Sequence, residues 1–169
     1  MRGPDLIDTI VARLDRAIAG IIALACWSAL PVVLLLFLQW PLRDLVHGYS
    51  REANDLGQIF FALFVAVSVT AATRASTHLA ADTLAHRYSE RTRHRLRKIG
   101  AVFGLLPWAL LILVTSRASV WQSLTGREAF PDTSNPGYFL IKLALWLMAG
   151  TVLLQAIADI LRRAPVEAR

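Results

Sequence analysis

The sequence has 169 residues, of which 56% are hydrophobic and 18% are charged, and its formal net charge is +6. A soluble domain of this length needs more polar surface than that composition supplies, so a membrane protein is predicted. Cys26 is the only cysteine. One chain therefore cannot form an internal disulfide, a cysteine zinc cluster or a dithiol redox pair, which excludes a membrane thiol oxidoreductase.

The N-terminal segment predicts a helix in the membrane interface, followed by the first span. Between Asp5 and Ile18 apolar residues recur at helical spacing, and the charged residues lie mainly on the opposite face. This pattern favours a helix along the inner membrane surface, and the alternative is that the helix prolongs the first span. A cleavable signal peptide is disfavoured, because the apolar run continues past Cys26 to Leu38 and exceeds the ~7–15 residues of a signal sequence.

Four apolar stretches predict membrane-spanning helices, at about residues 17–40, 56–73, 99–121 and 136–161. Each approaches or exceeds the ~20 residues that cross a hydrocarbon core of ~30 Å. Pro31 and Pro107 fall within spans, and we expect a bend at each. Asn135 and Pro136 predict the start of the fourth helix, with Asn as its cap and Pro in its first position.

The basic residues between the spans predict the orientation of the chain. Lys and Arg number three in the N-terminal segment, seven in the loop between the second and third spans, and three in the C-terminal tail. With four spans these regions share one side, and the other side carries four. Because basic residues concentrate in cytoplasmic segments, both termini and the middle loop are predicted to be cytoplasmic. The predicted fold is all-α: one domain, residues 1–169, that bundles four transmembrane helices with an interfacial N-terminal helix and a helical cytoplasmic loop.

The middle loop, residues 74–98, is predicted to form two helical pieces that divide near Tyr88, with Ser89 capping the second. The loop has seven basic residues, as many as a nucleic-acid binding patch could have. It lacks the interleaved aromatic residues of such a patch, apart from Tyr88. Membrane topology and contact with anionic headgroups explain the charge, so nucleic-acid binding is disfavoured.

Three polar residues of this loop recur every four positions: His78, Asp82 and His86. One helical face could present all three, and two imidazoles with a carboxylate could bind a metal ion in a membrane enzyme. A fourth ligand is not evident, and the neighbouring arginines repel cations. The favoured interpretation is a polar face that bonds to its own neighbours, to headgroups or to a partner protein, with no cofactor.

Charges inside a span are costly unless they are paired or reach water. Lys142 lies in the fourth span and can either extend outward or pair with Asp55, Glu128, Asp132 or a partner subunit. The interior of each span lacks an acidic residue, which disfavours an autonomous small carrier coupled to protons or cations.

Small residues mark two candidate helix contacts. Gly100 and Gly104 form a GxxxG pattern in the third span, and Ala62, Ala66 and Thr70 line one face of the second. Small side chains let helices approach closely in lipid, so either set could serve internal packing or a subunit interface.

A longer pattern surrounds the second span. Asp55 precedes the span, Arg74 ends it, and His78 and Asp82 follow four residues apart, before a basic helical loop leads to the third span. In this pattern, in length and in the four spans, the sequence resembles the small permease subunit, of DctQ type, of tripartite ATP-independent periplasmic (TRAP) transporters.

The resemblance implies a noncatalytic membrane subunit. In this family a periplasmic binding protein captures an organic acid, and the large permease subunit moves it with sodium by an elevator-like motion. The small subunit packs beside the stationary scaffold of the large one. We therefore expect a protein of the bacterial inner membrane whose partners are the large permease subunit, the periplasmic substrate-binding protein and membrane lipids. The candidate partner or structural interface residues are Asp55, Arg74, His78, Asp82, Gly100, Gly104 and Lys142.

Overall fold

The structure is a computed structural model that describes residues 6–48, 50–75 and 88–162. Its helices are α1 (Leu6–Cys26), α2 (Ala29–Val46), α3 (Arg51–Ala75), α4 (Glu90–Gly100), a π-helical turn (Ala101–Leu105), α5 (Leu106–Thr125) and α6 (Tyr138–Leu161). Four helical stretches are long and apolar enough to cross a membrane. The first combines α1 and α2, the second is α3, the third runs from α4 through the π-helical turn to α5, and the fourth is α6. The predicted all-α membrane fold is therefore confirmed.

The first helix runs without a break past the predicted start of the first span. α1 is continuous through residue 17, where the interfacial helix was predicted to give way to the first span, and it ends at Cys26. A short turn follows, in which the Ser28 hydroxyl donates to the Ala25 carbonyl. Pro31 then falls in the first turn of α2, where its missing N–H leaves no helical hydrogen bond unmade.

The third stretch is irregular just before Pro107. The ring of Pro107 crowds the carbonyl four residues earlier and supplies no N–H to it. The chain adapts with the π-helical turn, in which the Leu106 N–H donates to the Ala101 carbonyl five residues back. Ser89 caps α4 by accepting a hydrogen bond from the Thr92 N–H, so that prediction is confirmed. The predicted first piece of the middle loop lies outside the described residues.

The helices pack in the order α2, α3, α6, α5, with α1 against both α3 and α6. Within the described ranges α2 and α5 make at most marginal contact, so the four form an open layer rather than a closed bundle. α6 lies at its centre, and its buried face is rich in small residues such as Ala149 and Ala156. Ala66 and Thr70 of α3 are buried, and Thr70 bonds to Thr151 of α6, so the small-residue face of the second span serves internal packing.

Candidate functional sites at the two ends of the helix layer

The charged side chains lie at the two ends of the layer. Residues 17–42, 56–73, 99–116 and 143–158 contain none. We call one end the termini end, because it carries the first and last described residues, Leu6 and Arg162. The opposite end, the loop end, carries the connection between α5 and α6, residues 126–137.

Asp55 anchors the connection to α3 at the loop end. Its side chain is in the first turns of α3 and is 6% exposed. The Thr133 hydroxyl donates to Asp55 Oδ2 at 2.5 Å, and Asn135 Nδ2 donates to the same oxygen at 3.5 Å. Because hydrogen bonds to a carboxylate are stronger than neutral ones, this contact holds the connection against α3.

The connection itself folds back as a compact turn. The Phe130 N–H donates to the Asn135 carbonyl, and the Ser134 N–H donates to the Phe130 carbonyl, both at 2.8 Å. The buried Phe130 ring meets the Tyr138 ring edge-on, with 5.6 Å between centroids. These contacts make the turn a fixed part of the layer.

The fourth membrane helix starts two residues later than predicted. α6 begins at Tyr138, and Gly137 precedes it with φ = 149°, a conformation that side-chain-bearing residues rarely adopt. A Cβ on Gly137 would also lie 3.3 Å from both Ile59 and Phe130. Asn135, predicted as the helix cap, lies two residues before the observed N-cap Gly137, so that prediction is wrong; its Nδ2 donates to Asp55.

Lys142 pairs with Glu128, one of the three carboxylates that the sequence offered. Its Nζ lies 2.5 Å from Glu128 Oε2 and 5.6 Å from the centroid of the Tyr138 ring. The hydrogen bond from Lys142, together with one from the Ser123 hydroxyl, lowers the pKa of Glu128 below its ordinary value. The charge of Lys142 is thus balanced within the chain.

Arg74 belongs to a clamp at the termini end that sequence reasoning missed. Arg162 Nη2, at the end of α6, lies 3.1 Å from both carboxylate oxygens of Asp15 on α1. Arg74 Nη1, at the end of α3, donates to the Asp15 backbone carbonyl at 3.1 Å and lies 3.6 Å from Asp15 Oδ1. One residue of α1 therefore joins the ends of α3 and α6. The signal in the sequence was that Asp15 flanks the first span on the side where Arg74 and Arg162 flank the others.

The glycine pair of the third span does not pack against another described helix. Gly100 and Gly104 are exposed, and a Cβ at either would meet nothing within 4 Å. His78, Asp82 and His86 lie outside the described residues. Within the described ranges no group of three His, Cys, Asp or Glu residues could hold a metal ion.

The family model for the DctQ component of tripartite ATP-independent periplasmic transporters matches residues 32–166, more than half of the chain. No curated protein and no solved structure matches the chain. The predicted resemblance is confirmed, and the chain belongs to the DctQ family, the small membrane component of TRAP transporters.

Proposed function

We propose that this chain braces the stationary scaffold of the large permease subunit in a sodium-driven TRAP importer of organic acids. Family membership makes it a TRAP transporter component. The bracing role, the sodium coupling and the class of substrate belong to the proposal.

The distribution of charge carries the proposal. A carrier must present polar or ionisable groups to its cargo at the depth of the bilayer. Here the middle of each apolar stretch is uncharged, and the buried hydroxyls there are already bonded. Thr70 and Thr151 bond to each other across α3 and α6, and Thr151 also bonds to the Leu147 carbonyl. A supporting subunit suits such an interior better than a carrier does.

The shape of the layer supports the same role. Its two edge helices expose large apolar side chains, among them Leu36 and Phe37 on α2 and Leu111 and Val114 on α5. An open layer offers more of this surface to a large membrane partner than a closed bundle of equal length would. The Asp15 clamp at one end and the Asp55 contact at the other tie the central helices together, as a frame requires.

The orientation within the proposal follows from charge. α4, which carries Arg91, Arg93, Arg95, Arg97 and Lys98, approaches the layer at the termini end. We therefore assign the termini end to the cytoplasm and the loop end to the periplasm, in a bacterial inner membrane. The loop end would then face the side from which a periplasmic binding protein delivers its cargo.

Reconstitution tests this function. The chain is expressed with the large permease subunit and the binding protein encoded beside it, and the membrane components are purified and placed in liposomes. We expect the chain to co-purify with the large subunit, and organic-acid uptake to require all three proteins and an inward sodium gradient. A potassium gradient of equal size is the control. Uptake by the chain alone, or uptake that persists without sodium, contradicts the proposal.

A further inference from the structure

A polar cavity of about 100 Å³ lies beside the Asp15 clamp, where α1, α3, α4 and α6 meet. Its charged and amide lining consists of Arg74, Arg97, Arg162, Asp15, Asp159 and Gln155. The volume is several times the roughly 10–15 Å³ that one water molecule needs. The cavity is therefore large enough for a small polar group of a ligand.

The lining contains hydrogen-bonding groups that the chain leaves unmet. Gln155 is 3% exposed, and its Oε1 has no hydrogen-bond partner. Asp159 is 7% exposed and its carboxylate lines the same cavity. Arg162 Nη2 donates to the Asp15 carboxylate, but the buried Arg162 Nε has no hydrogen-bond partner. Buried polar groups without hydrogen-bond partners destabilise a protein. A molecule bound in the cavity would satisfy them if it carried a donor for Gln155 Oε1 and an acceptor for Arg162 Nε.

The geometry points to a headgroup site for a phospholipid that carries a primary ammonium group next to its phosphate, as phosphatidylethanolamine does. The phosphate oxygens accept hydrogen bonds from Arg162 Nε and from the neighbouring guanidinium groups. The ammonium group donates to the Asp159 carboxylate and to Gln155 Oε1. An anion without N–H or O–H groups would leave Gln155 Oε1 unmet and would face the Asp159 carboxylate, and a simple cation would face three arginines.

The position of the cavity favours a lipid over a soluble phosphate ester. It lies where α3 and α6 end, which is the level of the headgroups for helices that span a bilayer. Just beyond Arg97 the same helical stretch exposes Ile99, Val102 and Phe103. The acyl chains of a lipid bound beside Arg97 would meet this apolar surface.

Native mass spectrometry of the purified full-length chain in detergent tests the assignment without reference to transport. Dioleoyl phosphatidylethanolamine, phosphatidylcholine and phosphatidylglycerol are titrated separately, and free phosphoethanolamine is used as a competitor. Phosphatidylcholine keeps the phosphate but has no N–H donor. We expect phosphatidylethanolamine to bind at least about tenfold more tightly than the other two, as expected for a hydrogen bond to a charged group. Free phosphoethanolamine should compete poorly.

Three variants locate the site. Asp159→Asn should weaken phosphatidylethanolamine binding about tenfold, because the amide cannot pair with the ammonium charge. Asp8→Asn is the matched control, since Asp8 is exposed on α1 near the same end but outside the cavity, and it should bind as the native chain does. Gln155→Leu removes an unmet acceptor, so it should fold at least as well as the native chain and still bind this lipid more weakly.

Several results would overturn the assignment. Equal binding of phosphatidylethanolamine and phosphatidylcholine would show that the site does not recognise the N–H donors of the ammonium group. That result is expected if the cavity holds only water. Preference for phosphatidylglycerol would indicate a site for negative charge. Effective competition by free phosphoethanolamine would indicate a soluble ligand, and equal weakening by Asp8→Asn would place the lipid elsewhere.

Discussion

The hydroxyl pair between α3 and α6 predicts that Thr70→Val and Thr151→Val lower the free energy of unfolding by different amounts, although both replace threonine with valine. The Thr70 and Thr151 Oγ1 atoms lie 2.8 Å apart, and the two residues are 0% and 2% exposed. Thr151 Oγ1 also lies 2.8 Å from the Leu147 carbonyl oxygen, to which it donates. Since one hydroxyl carries one hydrogen, Thr70 must donate to Thr151.

The cost of each substitution follows from what it leaves behind. Thr70→Val removes a donor but leaves the Thr151 hydroxyl bonded to Leu147, so it should cost about 0.6 kcal/mol, as for an average side-chain hydrogen bond in a membrane. Thr151→Val leaves the buried Thr70 hydroxyl without an acceptor, which should cost about 1–3 kcal/mol. The double variant has neither hydroxyl, so no buried hydroxyl lacks a hydrogen-bond partner, and it should be more stable than Thr151→Val alone.

The assay is reversible unfolding of the purified chain in mixed micelles with increasing dodecyl sulfate, read by circular dichroism. The two single variants and the double variant form a double-mutant cycle, from which the coupling free energy is taken. Equal costs for the two single variants, or simple additivity in the double variant, would refute the assigned direction of the hydrogen bond.

Three further predictions concern the ends of the layer. Asp15→Asn removes the paired charge of Arg162 at a partly exposed site, so the free energy of unfolding in the same assay should fall by about 1–2 kcal/mol, and an unchanged value would contradict the clamp. Because the hydrogen bond from Lys142 lowers the pKa of Glu128 below 4.5, its stabilisation is complete above pH 4.5 and is lost as the pH falls through the lowered pKa. Glu128→Gln should therefore flatten the acid side of the stability profile, and an unaltered profile would argue against the pair. Gly137→Ala should cost about 1–3 kcal/mol, because φ = 149° strains any residue with a Cβ, and a thermal midpoint equal to that of the native chain would exclude this strain.

Local sequence patterns were sufficient for the helices and for some of their irregularities. The uncharged stretches predicted membrane helices because lipid demands apolar side chains, and Ser89 predicted a cap because its hydroxyl can reach the third N–H beyond it. Pro107 follows an interruption of the regular α-helix, and Pro31 lies in the first turn of α2, where no helical N–H is needed.

Predictions failed where a local preference met a distant partner. Asn135 is a good helix cap by itself, but Asp55, 80 residues away along the chain, holds the turn that contains it, and the helix begins only after Gly137. For the N-terminal segment two alternatives were open, and α1 continues through residue 17 into the apolar run, because a change from an amphipathic to a uniformly apolar pattern alters the surroundings of a helix without breaking it. The helix is interrupted instead at the Trp27-Ser28 turn, a few residues before Pro31.

The cost of a charge inside a span selected Lys142, and the resemblance to the family pattern selected Asp55 and Arg74. Each of the three makes a tertiary contact in the structure. Their partners could not be derived from spacing, because pairing depends on which helices are neighbours in the layer. The order of the layer also explains Gly100 and Gly104, whose face meets no other described helix and remains a proposed partner surface.

Site-specific cross-linking in the working transporter tests the bracing role most directly. Cys26 is replaced by serine, a single cysteine is placed at an exposed position of α2 or α5, and a covalent link to the large permease subunit is formed in proteoliposomes. If the chain braces a part of the large subunit that stays still, transporters with the link in place will retain sodium-driven uptake. Uptake that stops on linking and returns when the link is cleaved would mean that the chain travels with the moving part, which would contradict the account.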